Sequence, residues 1–170
     1  MVIDISSLLI QYHAIEFGDF TLASGQKSSY YVDIKHAMTN PVLLAAIGRV
    51  VSERFEFDLI AGVAVGGVPL AVAVSLASGK PYAIIRATEK DHGKAARVIG
   101  DVAGRRVLLI EDVTTSGGSA LYGVEELRRA GGVIDRVVTV VDREQGAASF
   151  LAGHGIELFP LAWVSNLLKK

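Results

Sequence analysis

Two adjacent carboxylates followed by hydroxyl and glycine residues form the segment of the sequence best suited to chemistry. An apolar run over residues 107–110 ends in Glu111 and Asp112, and the chain continues as Val113, Thr114, Thr115, Ser116, Gly117, Gly118 and Ser119. A helical pattern begins at Ser119, so we expect this loop to open a helix. A helix N-terminus presents unpaired amide groups with a partial positive charge, and glycines let a ligand approach the backbone closely. The segment therefore predicts a phosphate-binding loop.

The two acids require a different partner, because they would repel the phosphate. Carboxylates accept hydrogen bonds from the vicinal hydroxyls of a ribose, and their charge would stabilise a cationic sugar carbon in a transition state. A structural interpretation also exists, in which Asp112 or Ser119 caps the helix and Glu111 is a solvated strand end. A cap uses one oxygen, whereas this loop supplies six polar side chains. We therefore favour a site for a phosphorylated ribose.

This run resembles the phosphoribosyl diphosphate (PRPP) motif of type I phosphoribosyltransferases. It matches neither the G-x-G-x-x-G dinucleotide fingerprint nor the P-loop, since no Lys follows the glycines. Four further segments are similar to those of the orotate phosphoribosyltransferases within this group: residues 20–33, 62–71, 86–94 and 141–144. The resemblance thus spans most of the chain between residues 20 and 144.

Taken singly, each of these four segments also has a purely structural interpretation. Residues 20–33 could be a hairpin with an exposed Lys, and residues 62–71 a tight strand-to-helix turn. The charged residues 86–94 could be a solvated loop, and Arg143 could form a surface ion pair with Asp142 or Glu144. The residues alone leave these alternatives open.

The resemblance assigns binding roles to several residues. It implies that Lys27 contacts the substrates near the diphosphate and orotate, and that the base pocket is framed by Phe20, Tyr30 and Tyr31. The amides of Gly66 and Gly67 would bind diphosphate, as paired glycines before a helix suit an anion. Arg143 would bind the orotate carboxylate, because a guanidinium group matches a carboxylate in two parallel hydrogen bonds.

The charged segment 86–94 resembles the mobile catalytic loop of the same family. The resemblance implies that Arg86 and Lys90 neutralise diphosphate charge and that His92 donates a proton to it. Ala87 departs from the family pattern, which usually has a second basic residue there, and Lys94 could take over that contact. We assign no role to Ala87.

The implied reaction joins orotate to the ribose 5-phosphate of PRPP, giving orotidine 5′-monophosphate and diphosphate in de novo pyrimidine (UMP) biosynthesis. The expected catalytic residues are Lys90, His92 and Asp112. The expected cofactor is Mg²⁺, bound mainly through PRPP and diphosphate oxygens rather than by a dedicated set of protein ligands. The resemblance also implies a homodimer in which the catalytic loop, residues 87–97, is shared across the interface.

Composition excludes several other classes. The chain has 170 residues, no Cys and a formal net charge of -1, so we expect a cytoplasmic protein without disulfides, and neither a nucleic acid nor a membrane as partner. Two alternatives remain. One is a phosphoribosyltransferase for another base, a purine or uracil. The other is a PRPP-sensing transcriptional regulator of the same fold, for which the chain has no spare length for a DNA-binding domain.

The pattern of elements predicts the α/β class. Apolar runs rich in β-branched residues lie at 59–65, 82–85, 107–110, 133–141 and 158–161. Helical patterns lie between them, at 69–77, 119–130 and 147–152. This alternation predicts a central, mostly parallel sheet flanked by helices, as in the type I phosphoribosyltransferase fold, with ligands beyond the carboxyl ends of the strands.

The N-terminal part of the sequence has a different pattern. We expect a helix over residues 5–15, a hairpin around the polar loop at residues 24–28, and a helix over residues 42–54 with Asn40 as its cap and Pro41 in its first turn. The whole chain, residues 1–170, is expected to form one domain. Residues 1–40 would be a small N-terminal hood and residues 41–170 the core.

Overall fold

The computed structural model describes residues 3–21, 25, 27–87 and 96–169. Its strands are β1 (Ile15–Thr21), β2 (Lys27–Val32), β3 (Leu59–Val63), β4 (Tyr82–Ile85), β5 (Val98–Ile99), β6 (Val107–Thr114), β7 (Arg136–Asp142) and β8 (Glu157–Trp163). Its helices are α1 (Ile5–Gln11), α2 (Ile34–Ala37), α3 (Pro41–Arg54), α4 (Gly67–Ser78), α5 (Gly118–Arg129), α6 (Ala147–Ala152) and α7 (Val164–Leu167). None of these helices is long and apolar enough to cross a bilayer.

Six strands form one sheet in the order β5-β4-β3-β6-β7-β8. β3, β4, β6, β7 and β8 run parallel, and only the two-residue β5 is antiparallel to its neighbour β4. The predicted α/β class with a mostly parallel sheet is therefore confirmed. β5 has no counterpart in the predicted elements.

Helices cover both faces of this sheet, which explains why its strands are continuously apolar. Every residue of β3 is buried, and successive residues belong to different cores. Ile60 packs in the cluster that contains α3 and α4 side chains such as Leu43 and Leu70. Leu59 packs in the opposite cluster, with α5 side chains such as Val124.

The N-terminal residues form a separate two-stranded antiparallel sheet, β1-β2. The predicted helix over residues 5–15 is wrong at its C-terminal end, because α1 stops at Gln11 and Ile15 already pairs with Val32 of β2. His13 adopts a left-handed conformation, with φ 56°. The apolar spacing of residues 8–15 therefore comes from a helix and a strand that both face the core.

Several strand boundaries also differ from the prediction: β3 ends at Val63 rather than at residue 65, and β8 spans Glu157–Trp163 rather than residues 158–161. β6 continues past Ile110 to Thr114, so Glu111 and Asp112 lie within the strand and are buried. β7 begins at Arg136 rather than at Val133, which makes only an isolated bridge to Arg106. α3 agrees with the prediction within one residue, and the Asn40 side chain accepts hydrogen bonds from the amides of Val42 and Leu43.

Candidate functional site

The C-terminal ends of three neighbouring strands bring the predicted site residues to one edge of the sheet. β3 and β7 both pair with β6, so the segments that follow them lie on either side of the acidic pair. These segments carry Gly66 and Gly67 after β3 and Arg143 after β7. This is the edge at which parallel α/β sheets bind ligands.

The segment between β6 and α5 encloses a cavity of about 200 Å³. Its lining residues are Glu111, Val113, Thr114, Thr115, Ser116, Gly117, Gly118, Ser119 and Ala120; we call this the cradle. Gly117 is the N-cap of α5 with φ 90°, and no side chain of the described residues caps the helix. The alternative in which Asp112 or Ser119 serves as a helix cap is therefore wrong. The first amides of α5 can bind an anion instead.

Thr114 differs from its neighbours in the predicted loop. It ends β6, is 3% exposed, and its Oγ1 donates a hydrogen bond to Asp142 Oδ1 at 3.4 Å. Its hydroxyl thus ties β6 to β7, and the hydroxyls of Thr115 and Ser116 remain as the nearby side-chain donors of the cradle.

Glu111 is a buried carboxyl at the base of the cradle. It accepts a hydrogen bond from Ser119 Oγ at 3.2 Å. Burial raises the pKa of Glu111 to about 8, and the negative charge of Asp112 contributes in the same direction. The ligand-free protein therefore holds a proton on Glu111 at neutral pH, which prevents two adjacent buried carboxylates from being charged together.

Asp112 forms an ion pair with a residue that the sequence analysis did not select. Lys35 Nζ, on α2, donates a hydrogen bond to Asp112 Oδ2 at 2.7 Å. The two residues are 77 positions apart in the chain. The only available signal was the position of Lys35 just beyond the signature segment 20–33, because α2 has four residues and gives no periodic pattern.

The Asp112 carboxylate also packs directly against the backbone of Gly66. A Cβ atom on Gly66 would lie 2.5 Å from Asp112 Oδ2 and 2.6 Å from Oδ1. The predicted diphosphate loop and the predicted ribose-binding acid are therefore in contact, and only glycine leaves room for both.

We expect Gly66→Ala to weaken PRPP binding at least tenfold. Gly66 has an ordinary φ of -63°, so the added methyl group acts by displacing the Asp112 carboxylate and breaking its pair with Lys35, not by straining the backbone. Calorimetric titration with PRPP measures the effect. Gly153→Ala is the control, since Gly153 has φ -62° and a Cβ there would meet nothing closer than 3.4 Å. Equal affinity in both variants would show that the contact is unimportant for binding.

Arg143 is held by its backbone, and its side-chain Nε has no hydrogen-bond partner among the described residues. Its amide donates to the carbonyl of Thr114 at 2.9 Å. Its Nε is buried and makes no hydrogen bond within the described part of the chain. A buried unpaired donor of this kind is costly, which points to a ligand acceptor at this position.

The alternative of an ion pair between Arg143 and its neighbours is wrong. Asp142 Oδ1 accepts hydrogen bonds from Thr114 Oγ1 and from the amide of Glu144 at 3.0 Å. The Glu144 carboxylate accepts from the amide of Ser165 at 2.8 Å. Glu144 has φ 59°, a strained conformation for a residue other than glycine, and these hydrogen bonds hold it there.

The hairpin residues lie around a cavity of about 450 Å³ lined by Asp19, Phe20, Lys27, Ser28 and Ser29. Lys27 Nζ donates to Thr21 Oγ1 at 2.8 Å, and the Phe20 and Tyr31 rings lie 5.7 Å apart between centroids. Tyr30 points the other way and packs against the core. The structure therefore brings Phe20, Lys27 and Tyr31 together and separates Tyr30 from them.

Arg86 lies at the entry of the charged loop. Its amide donates to the Arg97 carbonyl at 2.8 Å, its Nη1 to the Ala96 carbonyl at 3.3 Å, and its own carbonyl accepts from Tyr122 Oη at 2.7 Å. The predicted loop residues Lys90, His92 and Lys94 lie outside the described residues.

Comparison with known proteins decides the family. A phosphoribosyl transferase domain family matches residues 37–150. The orotate phosphoribosyltransferase of Methanocorpusculum labreanum is 65% identical over 99% of both chains, and that of Methanoculleus marisnigri is 62% identical with the same coverage. The chain belongs to the orotate phosphoribosyltransferase family. The resemblance stated from the sequence motifs is thereby confirmed, and the chain is an enzyme of the phosphoribosyltransferase class.

Solved structures agree with this membership of the orotate phosphoribosyltransferase family. The enzyme from Aeropyrum pernix has a TM-score of 0.85 at 31% identity, covering 97% of this chain and 96% of that one. The Mycobacterium tuberculosis enzyme, in complex with PRPP, has a TM-score of 0.80 at 30% identity, covering 97% and 99%. An adenine phosphoribosyltransferase from Leishmania donovani, at 19% identity, shares the fold alone, with a TM-score of 0.73.

Proposed function

We propose that this chain transfers the 5-phosphoribosyl group of PRPP to orotate, giving orotidine 5′-monophosphate and diphosphate in pyrimidine biosynthesis. One observation carries the proposal: two buried acids near the end of β6 lead directly into a helix N-terminus that borders the cradle and that no described side chain caps. A helix N-terminus next to carboxylates suits a ligand with a phosphate at one end and sugar hydroxyls at the other.

The proposed reaction is a substitution at the anomeric carbon of the ribose. The bond from this carbon to the diphosphate oxygen breaks, and its electron pair leaves with the diphosphate. A bond to an orotate nitrogen forms as that nitrogen loses its proton to solvent. The cradle holds the 5′-phosphate through the α5 amides, while Glu111 and Asp112 accept hydrogen bonds from the ribose hydroxyls. Their negative charge stabilises the positive charge that develops on the sugar. Binding of the hydroxyls and loss of the proton on Glu111 are then linked.

The leaving diphosphate needs positive partners on the opposite side of the sugar. We assign this role to the amides of Gly66 and Gly67 together with Lys27 and Arg86. Mg²⁺ would supply further neutralisation of diphosphate charge. The described residues contain no cluster of three His, Asp or Glu side chains able to hold a metal ion, while the carboxylates of Glu111 and Asp112 offer oxygen atoms beside the sugar. This donor set fits an ion bound mainly through substrate oxygens.

Orotate is assigned to the space in front of Arg143. The buried, unpaired Nε of this residue would donate to the orotate carboxylate, with the neighbouring Nη in parallel. Phe20 and Tyr31 would cover the base from the hairpin. Tyr30 remains in the proposal as a support for the hairpin rather than as a contact, because it packs towards the core.

The charged loop is proposed to close over the substrates. In this proposal Lys90 and His92 act on the diphosphate, His92 as the proton donor because its ordinary pKa lies nearest neutrality, and Lys94 replaces the basic residue that position 87 lacks. Closure would exclude water, which otherwise hydrolyses the activated sugar.

We expect Lys90→Ala to lower kcat about tenfold without changing the thermal unfolding temperature. The lysine would act on the charge that develops on the leaving diphosphate, so its loss affects the transition state more than substrate binding. Steady-state kinetics with saturating orotate and PRPP measure this. Lys169→Ala serves as the control for a removed surface charge. An unchanged kcat would remove Lys90 from the mechanism.

We also propose a homodimer, in the cytoplasm, that shares residues 87–97 across its interface. Support comes from α4, whose twelve residues include no charged side chain. Leu76 is 81% exposed, and Val65, just before the helix, is 76% exposed. A second copy of the chain would remove this apolar surface from water. Residues 1–40 are proposed as a hood on a core of residues 41–170.

A panel of bases tests the proposed function directly. The protein is incubated with PRPP, Mg²⁺ and orotate, uracil or adenine in turn, and loss of orotate absorbance or release of diphosphate is followed. We expect turnover with orotate and little with the other bases. Turnover of adenine or uracil but not of orotate would refute the assignment, and absence of turnover combined with tight DNA binding would favour a regulator.

A further inference from the structure

The ion pair between Lys35 and Asp112 is unequally exposed to solvent. The Lys35 side chain is 65% exposed and that of Asp112 is 9% exposed. An ammonium group has three donors, and Asp112 Oδ2 takes one of them at 2.7 Å. Lys35 can therefore keep its contact with Asp112 and still offer hydrogen bonds to a ligand on the solvent side.

The position of this ammonium group relative to the loop after β3 is fixed by Asp112. The same oxygen that accepts from Lys35, Oδ2, would lie 2.5 Å from a Cβ on Gly66. Lys35 Nζ thus stands beside the Gly66-Gly67 backbone, the segment assigned to diphosphate. One carboxylate oxygen separates the two.

The negative charge beside the Gly66-Gly67 backbone makes the position of Lys35 important for binding a diphosphate. The Asp112 carboxylate is buried against Gly66, and its negative charge would repel a diphosphate brought to Gly66 and Gly67. Among the described residues, Lys35 is the cation paired with Asp112. The hydrogen bond that Lys35 donates to Asp112 raises the pKa of Lys35 most, and the charges of Asp112, Asp33 and Glu111 raise it further, so the amine stays protonated.

We propose that Lys35 bridges Asp112 and the diphosphate of PRPP, and is a substrate-binding residue for the leaving group. This inference rests on the proposed function. Lys35 screens the ribose-binding acid from the anion that must lie next to it, and it supplies a fixed cation on the core side of the ligand. The other described cations assigned to the diphosphate have different partners, Thr21 for Lys27 and the Ala96 carbonyl for Arg86.

Binding measurements with three ligands distinguish diphosphate binding by Lys35 from a role in positioning Asp112 only. PRPP contains both the diphosphate and the ribose 5-phosphate, inorganic diphosphate contains only the first, and ribose 5-phosphate only the second. Affinities are measured calorimetrically in the presence of Mg²⁺ for the wild-type chain, Lys35→Met and Lys35→Arg. Lys80→Met is the matched control, because Lys80 lies over the Phe57 ring at 4.5 Å, beyond the N-terminal ends of β3 and β4.

We expect Lys35→Met to bind PRPP and inorganic diphosphate at least tenfold more weakly and ribose 5-phosphate less than threefold more weakly. Lys35→Arg should recover most of the loss, and Lys80→Met should match the wild type. Equal weakening of PRPP and ribose 5-phosphate would overturn the proposal, since Lys35 would then act only by positioning Asp112. Unchanged PRPP affinity in Lys35→Met would overturn it as well.

The outcome for Lys35 can be distinguished from that for the proposed function. A wild-type chain that binds PRPP but does not consume orotate would refute the proposed function and leave the Lys35 assignment standing. A wild-type chain that does not bind PRPP would refute both. Thermal unfolding is used to verify that Lys35→Met is folded before any affinities are compared.

Discussion

Arg143→Lys is expected to raise the KM for orotate about 100-fold while changing the KM for PRPP less than threefold. The guanidinium Nε is buried without a hydrogen-bond partner among the residues that the structure describes, and a planar group with two parallel donors is needed to match a carboxylate. A lysine keeps the positive charge but cannot form the two parallel hydrogen bonds of a guanidinium group, so about 2–3 kcal/mol of orotate binding free energy is lost. Initial rates with each substrate varied in turn measure both constants.

The matched control for Arg143→Lys lies at the opposite end of the same strand. Arg136 begins β7 and donates to the Glu56 carbonyl at 3.2 Å, away from the site, so Arg136→Lys should leave both KM values unchanged. Equal losses for orotate and PRPP in Arg143→Lys would show that Arg143 holds the loop after β7 rather than the base.

Glu111→Gln is expected to stabilise the ligand-free protein at alkaline pH while reducing its activity. The pKa of Glu111 is about 8 in the folded chain, against 4.5 as the ordinary value. The folded state therefore binds the proton more tightly than the unfolded state does. The associated stability is fully present below pH 4.5 and is lost as the pH rises towards 8, at roughly 1.4 kcal/mol per pH unit. Glutamine resembles the protonated carboxyl and removes this loss.

Chemical denaturation at several pH values measures the effect of Glu111→Gln. The free energy of unfolding of the variant should exceed that of the wild type by roughly 5 kcal/mol above pH 8, and the difference should shrink at lower pH. Glu53→Gln, on the exposed side of α3 with 67% of the side chain accessible, provides the control. A constant difference between pH 5 and 9 would mean that Glu111 ionises near its ordinary pKa.

The sequence predicted correctly those elements whose apolar pattern and terminal residues lie in one uninterrupted segment. β4 and α6 have the predicted bounds, and α3 differs from its prediction by one residue. Their bounds could be predicted because apolar periodicity and the Asn40-Pro41 helix start depend on residues close together in the sequence. β5 could not be predicted, since a two-residue strand has no periodicity and depends on pairing with β4. The end of α1 was also missed, because one apolar spacing runs through both α1 and β1.

The site was predictable in its composition but not in its long-range contacts. Glu111 and the glycines of the cradle belong to one segment, so their position at the N-terminus of α5 followed from the sequence alone. The Lys35–Asp112 pair joins residues 77 positions apart, and its existence depends on how α2 packs on β6. The proton on Glu111 is equally non-local, because it results from burial, which the polar appearance of the segment conceals.

Both margins of the six-stranded sheet discourage further strand addition. At one edge β5 has only two residues. At the other edge β8 contains Pro160, which has no amide proton to donate to an additional strand. Strand pairing between copies of the protein is thus disfavoured at these two edges. We expect association between copies to use helical surfaces instead of these two edges, because side-chain shape there selects the partner and closed assemblies of defined size can form.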